Sequence, residues 1–276
     1  MDSFLLDPQL HRFLEEDLEH GDITTDAVFD QETASARLVA REPLVACGME
    51  QVAARVFCLL EGQLEFGQMA ADGSRKNTGE VLLTVQGPVR TLLRGERVAL
   101  NLIQRLCGIA TLTGAFVDRV QGLPVRIVDT RKTTPGLRML EKYAVRCGGG
   151  GNHRYSLSDG VLVKDNHIAA CGSISAAVDR LRGRIPHTVK IEVECDTPTQ
   201  VEECLACGVE IIMLDNMDTA TMAEAVQRID GKALVEASGG VNLESVRAIA
   251  ETGVDIISIG GLTHSAPAVD IGMDWV

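Results

Sequence analysis

Between Asp129 and His167, seven Lys and Arg face four Asp and Glu, in a 276-residue chain with 26 Lys and Arg, 39 Asp and Glu and a net charge of -13. An acidic chain has gathered a cationic patch. Two unit charges about 6 Å apart at an effective dielectric near 20 repel by roughly 3 kcal/mol, so such a patch needs carboxylates or a bound anion to settle it. We expect the anion to be a substrate; a patch wholly cancelled by its own Asp and Glu would count against that. Arg131, Lys132, Arg154 and Lys164 have the charges and donors for carboxylate or phosphate. His153 alone would read as structural, but beside Arg154 it reads as an anion contact. It follows Gly148–Gly151, a run that cannot be a stable helix interior and suits a flexible or closely approached loop. Arg138, Lys142 and Arg146, four apart with Glu141 among them, read as a solvated or salt-bridged helix face. His167 and Asp165 fit either kind of role.

Three other stretches carry chemistry. In TVKIEVE (188–194), period two puts Lys190, Glu192 and Glu194 on one side and Ile191 with Val193 on the other. An interior ion pair between Lys190 and Glu192 is the plain structural reading, and Glu194, nearest the strand end, is the functional one. Ser238-Gly239-Gly240 and Gly260-Gly261 each follow an apolar strand and precede a helix pattern, the arrangement in which backbone N–H groups can hold a phosphate. Glycine also serves there simply to allow a tight turn. Eight scattered cysteines read as reduced, buried thiols. The close pair Cys204 and Cys207 has no second pair or nearby His at zinc spacing.

The elements that must position these residues follow from periodicity. Residues 8–20 have helical spacing, 34–47 are strand-like, and Gly48 precedes a helix over 50–61. LEFGQMA and GEVLLTVQG read as strands around the turn-rich ADGSRKNTG, and TLLRG as a further extended stretch closing the region. From Glu96 to Val120 apolar residues recur every three or four positions, giving a long helix or two abutting ones, with a domain boundary inside it. Thereafter six short apolar runs alternate with helix-length spacers: 125–130, 160–165, 188–194, 210–215, 233–238 and 255–260. This is a parallel β/α rhythm. The runs end at Asp129, Lys164, Glu194, Asp215, Ser238 and Gly260, which in a β/α barrel converge on one rim. GxGxxG and GxxxxGK[ST] are absent, so we favour an incomplete barrel over a doubly wound sheet.

Composition narrows the function. The negative charge and 3% aromatic content argue against nucleic acid as partner. The acidic N-terminus lacks signal-peptide features and no run of 18 apolar residues occurs, so we expect a cytosolic protein without membrane contact.

The chain resembles a known family through GDITTD (21–26), GERVALNLIQRLCGIAT (95–111), DTRKTTPGLRMLEKYAVRCGGGGNHR (129–154), KDNHI (164–168), IEVEC (191–195), MLDN (213–216), EASGG (236–240) and LTHSAPAVDIG (262–272). That family is quinolinate phosphoribosyltransferase, the decarboxylating nicotinate-nucleotide pyrophosphorylase. The resemblance implies an N-terminal α/β sandwich-like domain over 1–107, an incomplete, seven-stranded parallel α/β barrel over 108–265, and a tail, 266–276, packing back on the first domain. It implies a homodimer or assembly of dimers. The implied reaction joins quinolinate to phosphoribosyl pyrophosphate, giving nicotinate mononucleotide, pyrophosphate and carbon dioxide in NAD biosynthesis. Thr130, Arg131, Arg154 and Lys164 with His153 would bind quinolinate, and Lys132 would stand between both substrates. Arg97 would come from the neighbouring subunit. Glu194 and Asp215 would hold the ribose hydroxyls near magnesium carried by the pyrophosphate, and Ser238, Gly239, Gly240, Gly260 and Gly261 would cradle the 5′-phosphate. Two rivals are a paralogue acting on another anionic ligand and a non-catalytic phosphosugar-binding protein.

Overall fold

The computed structural model describes residues 1–60 and 62–276. The chain divides into two compact units: Met1–Leu112 with Cys147–Gly149 and Ala266–Val276, and Thr113–Arg146 with Gly150–Ser265.

In the first unit, helix α1 (Ser3–Leu18) begins where Asp2 accepts from the Phe4 N–H at 2.9 Å, and it buries Leu6, Leu10 and Leu14. Asp22 caps α2 (Ile23–Val28) through the Thr25 N–H. A four-stranded antiparallel sheet has the order β12-β1-β5-β3, formed by β1 (Thr33–Ala40), β3 (Glu65–Met69), β5 (Val81–Pro88) and the C-terminal β12 (Ile271–Trp275). Ala36 stands opposite both Trp275 and Val85. Between β3 and β5 the turn-rich stretch forms β4 (Arg75–Lys76), which pairs instead with β2 (Leu44–Val45). The helix after Gly48 opens with a π-helical turn, Met49–Ala54, before α3 (Arg55–Cys58).

Helix α4 runs Val89–Arg119, so TLLRG is helical and not extended. The apolar face continues upstream of Glu96 through the buried Val89 and Leu92. Gly95 within it is a close-approach position, since a Cβ there would lie 2.6 Å from Phe57 Cδ1. By length and composition α4 could cross a membrane, although no uninterrupted run of 18 apolar residues exists; its most apolar window is 56% buried in the fold.

The second unit holds six parallel strands in the order β6-β11-β10-β9-β8-β7: β6 (Arg126–Val128), β7 (Val161–Val163), β8 (Ile191–Cys195), β9 (Ile211–Asp215), β10 (Leu234–Ser238) and β11 (Ile256–Ser258). These are the six apolar runs of the sequence. The seventh place implied by the resemblance is taken by Gly151, joined to Val128 by one parallel bridge. Between the strands lie α5 (Arg138–Cys147), α6 (Asp165–Cys171), α7 (Ile174–Arg182), α8 (Pro198–Cys207), α9 (Thr219–Ile229), α10 (Val246–Glu251) and α11 (Gly261–His264).

Register fixes which side chains share the inner face. Leu162 aligns with Glu192, Glu194 with Met213, Met213 with Glu236, Asp215 with Ser238, and Glu236 with Ile256. The opposite face carries the buried Val193, Ile212, Leu214, Val235, Ala237 and Ile257, apolar as a helix-covered layer requires.

Candidate active site

At the C-terminal ends of the strands, a cavity of about 520 Å³ is lined by Thr130, Arg131, Lys132, His153, Arg154, Lys164, Glu194, Asp215, Ser238, Gly239 and Gly240, together with Leu162, Met213, Asn216 and Ser258. Six separate strand ends and the segment after the glycine run thus supply one pocket. Arg97, exposed on α4 in the first unit, is not among its lining residues, and neither are Gly260 and Gly261. Gly260 instead lies against Lys132, where a Cβ would come within 2.9 Å of Cδ.

The patch is partly compensated. Lys164 Nζ pairs with Glu194, and Lys142 Nζ with Asp129. Arg131, Lys132 and Arg154 have no carboxylate partner among the described residues, and the buried Nε of Arg131 has no hydrogen-bond partner. Arg154 Nη1 donates to the Gly160 carbonyl at 2.9 Å. Burial, then the charge of Arg131, pulls the Arg154 guanidinium below its ordinary pKa. The charge of Glu192 offsets this only in part, and two like charges held together without a paired carboxylate make a site for an anion.

The helix face read as solvated or salt-bridged is mostly inside. Lys142 and Glu141 are fully buried, while Arg146 is exposed. Arg138 braces the loop, donating to Thr133 Oγ1 at 2.9 Å and to the Tyr155 carbonyl at 3.0 Å. Nor do Lys190 and Glu192 form an interior pair. Lys190 is exposed, and Glu192 meets His153 Nε2 at 3.2 Å.

His153 is held on both ring nitrogens. Nδ1 accepts from the Arg154 N–H at 2.8 Å, and Nε2 also lies 3.5 Å from Glu236 Oε1. Burial lowers its pKa, but the bond to Glu192 and the charges of Glu192 and Glu236 outweigh this and raise it. Glu236 is 2% exposed, and burial followed by repulsion from Glu192 pushes its carboxyl up to about 7. These residues form an acidic floor beneath the cations. Sequence reasoning misses Glu236, although it stands two residues before Ser238, on the same side of the strand.

His167 plays a structural part, its Nδ1 accepting from the Lys164 N–H at 3.0 Å at the start of α6. Asp215 Oδ2 accepts from Asn216 Nδ2 at 2.7 Å. Gly239, at φ +93°, permits a close approach, since a Cβ would lie 2.2 Å from Asn216 Oδ1. The turn does not open directly onto a helix, because α10 starts only at Val246. All eight cysteines are free, and Cys58 is exposed, contrary to the expectation of uniformly buried thiols. Cys204 lies 3.4 Å from Cys195 rather than joining Cys207.

Glu194 and Asp215 offer oxygen ligands at the mouth, of the kind magnesium prefers when it arrives with a phosphate substrate. Together the open parallel barrel, the uncompensated cations and the rim carboxylates define an α/β-barrel enzyme for polyanionic substrates. Family models match most of the chain: "Quinolinate phosphoribosyl transferase, N-terminal domain" over residues 22–107 and "Quinolinate phosphoribosyl transferase, C-terminal domain" over 109–274. The chain belongs to the quinolinate phosphoribosyltransferase family. It is 45% identical over 274 residues to the probable nicotinate-nucleotide pyrophosphorylase (carboxylating) of Bacillus subtilis, covering 99% of this chain and 94% of the relative. To the nicotinate-nucleotide pyrophosphorylase (carboxylating) of Mycobacterium leprae it is 46% identical over 272 residues, covering 96% and 95%. Among solved structures, nicotinate-nucleotide pyrophosphorylase from Ehrlichia chaffeensis superposes with a TM-score of 0.92 at 45% identity, covering 98% of each chain.

Proposed function

We propose that this protein transfers the phosphoribosyl group of phosphoribosyl pyrophosphate to quinolinate with decarboxylation, giving nicotinate mononucleotide, pyrophosphate and carbon dioxide for NAD synthesis. The observation that carries it is the placing of Arg131, Lys132 and Arg154, without carboxylate partners, in one cavity with Glu194 and Asp215. Arg131, Arg154 and Lys164 bind the two substrate carboxylates, Thr130 and His153 line their pocket, and Lys132 stands where the substrates meet. Glu194 and Asp215 hold the ribose hydroxyls. The Ser238-Gly239-Gly240 turn takes the 5′-phosphate, with Gly260 and Gly261 beside it and Gly260 close against Lys132.

Departure of pyrophosphate leaves positive charge on the ribose, which the two carboxylates stabilise electrostatically. Magnesium carried by the pyrophosphate would neutralise charge on that leaving group. The pyridine nitrogen attacks the ribose and becomes cationic. Its positive charge then stabilises the electron pair left on the adjacent ring carbon as carbon dioxide departs, and that carbon takes up a proton from solvent, so the protein contributes alignment and charge matching. Arg97 completes the site from the neighbouring subunit of a homodimer, and the eight free thiols suit a cytosolic enzyme.

The test is turnover. Nicotinate mononucleotide should appear from quinolinate, phosphoribosyl pyrophosphate and magnesium, and not when nicotinate replaces quinolinate. Lys132→Ala should lose activity by about a hundredfold or more with an unchanged melting curve. No product from the unaltered protein would leave the non-catalytic phosphosugar-binding reading in its place.

A further inference from the structure

Lys142 is the charged group the chemistry above does not use. Its side chain is 0% exposed, as is that of its partner Asp129. Replacing a buried ion pair by apolar groups of similar size is often neutral or stabilising, so stability alone explains such a pair poorly. Its bonds suggest another role.

Asp129 directly follows β6 and collects three donors: Lys142 Nζ, Asn152 Nδ2 at 2.6 Å and the His153 N–H at 2.9 Å. Lys142 Nζ donates onward to the His153 carbonyl at 2.9 Å, and Asn152 Nδ2 also reaches the Lys142 carbonyl at 2.8 Å. Both backbone polar groups of His153 are therefore tied to one buried charge pair. Upstream, Gly148–Gly151 has no side chains with which to anchor this segment, and glycine loses more backbone freedom on ordering than any other residue. Downstream comes Arg154, which lines the same cavity as Arg131 and feels its charge.

We infer that Lys142 and Asp129 are positioning residues for the dicarboxylate subsite, a buried clamp on the His153 backbone that holds Arg154 beside Arg131 despite their repulsion. This rests on the reading of Arg131 and Arg154 as quinolinate contacts. The clamp serves the anion that those arginines receive and leaves the ribose and phosphate contacts at Glu194, Asp215 and Ser238 alone.

Lys142→Met alone strands a buried carboxylate and can fail to fold, so the informative protein is the double variant Asp129→Asn/Lys142→Met, which buries no net charge. Calorimetric titration should show its affinity for quinolinate falling at least tenfold while that for phosphoribosyl pyrophosphate stays within about twofold, about 1.4 kcal/mol of selective loss. Lys142→Arg, which keeps charge and donors, should recover part of it. Unchanged quinolinate affinity in the double variant, or equal loss of both ligands, overturns the clamp. Absence of quinolinate binding by the unaltered protein instead removes the reading beneath it.

Discussion

Glu236 Oε1 is buried without a hydrogen-bond partner, 3.5 Å from His153 Nε2 and beside the negative Glu192. Its carboxyl is raised from 4.5 to about 7, so the folded protein holds this proton more tightly than the unfolded chain. The stabilising contribution is complete below the unfolded value and is lost as pH rises through about 7. At 1.36 kcal/mol per pK unit this is a loss of up to about 3 kcal/mol between acid and neutral pH. His153, also raised, adds the same sign. Glu236→Gln should flatten the fall in stability between pH 5 and 8 and be more stable than the parent at pH 8, in urea melts at both ends of the range; parallel slopes would refute this. Single residues were legible where period two marks a charged side, as for Glu194, or where an apolar run ends at the rim, as for Asp215 and Ser238. Lys142 was not, because charges four apart on a helix look the same whether they meet water or a buried aspartate.

At the scale of elements, the six parallel strands could be read because each apolar run ends in a polar or glycine residue. TLLRG misled because Gly95 looks like a breaker when Phe57, the side chain that packs against it, lies 38 residues upstream. The same reasoning gives a test at Gly108, inside α4. A Cβ there would sit 2.0 Å from the Pro267 carbonyl oxygen, which is backbone and cannot swing aside. Alanine in place of glycine would stabilise an uncrowded helix by about 1 kcal/mol. Here Gly108→Ala should instead cost about 1–3 kcal/mol and make residues after 266 sensitive to limited proteolysis. A more stable variant would show that the tail does not press on α4.

For the molecule as a whole, Arg97 is exposed on α4, and the proposed homodimer gives it a place in a partner's site. Mixing inactive Arg97→Ala with inactive Lys132→Ala should restore activity. Random pairing in a two-fold dimer leaves about a quarter of the sites with both native residues. No recovery after subunit exchange would assign each site to a single chain. Assembly left no trace in composition or periodicity, since an exposed arginine on a helix looks like any other.

One consequence concerns synthesis rather than catalysis. The sheet of the first unit takes its edge strand, β12, from residues 271–275, which are made long after β1 and β5. Until then β1, already paired with β5 on one side, presents a bare row of N–H and C=O groups on the other. At about 5–20 residues per second, the stretch from Leu112 to Trp275 takes roughly ten to thirty seconds to make. For that interval the nascent chain carries an open template for a foreign strand, until residues 271–275 of the same chain arrive to cover it.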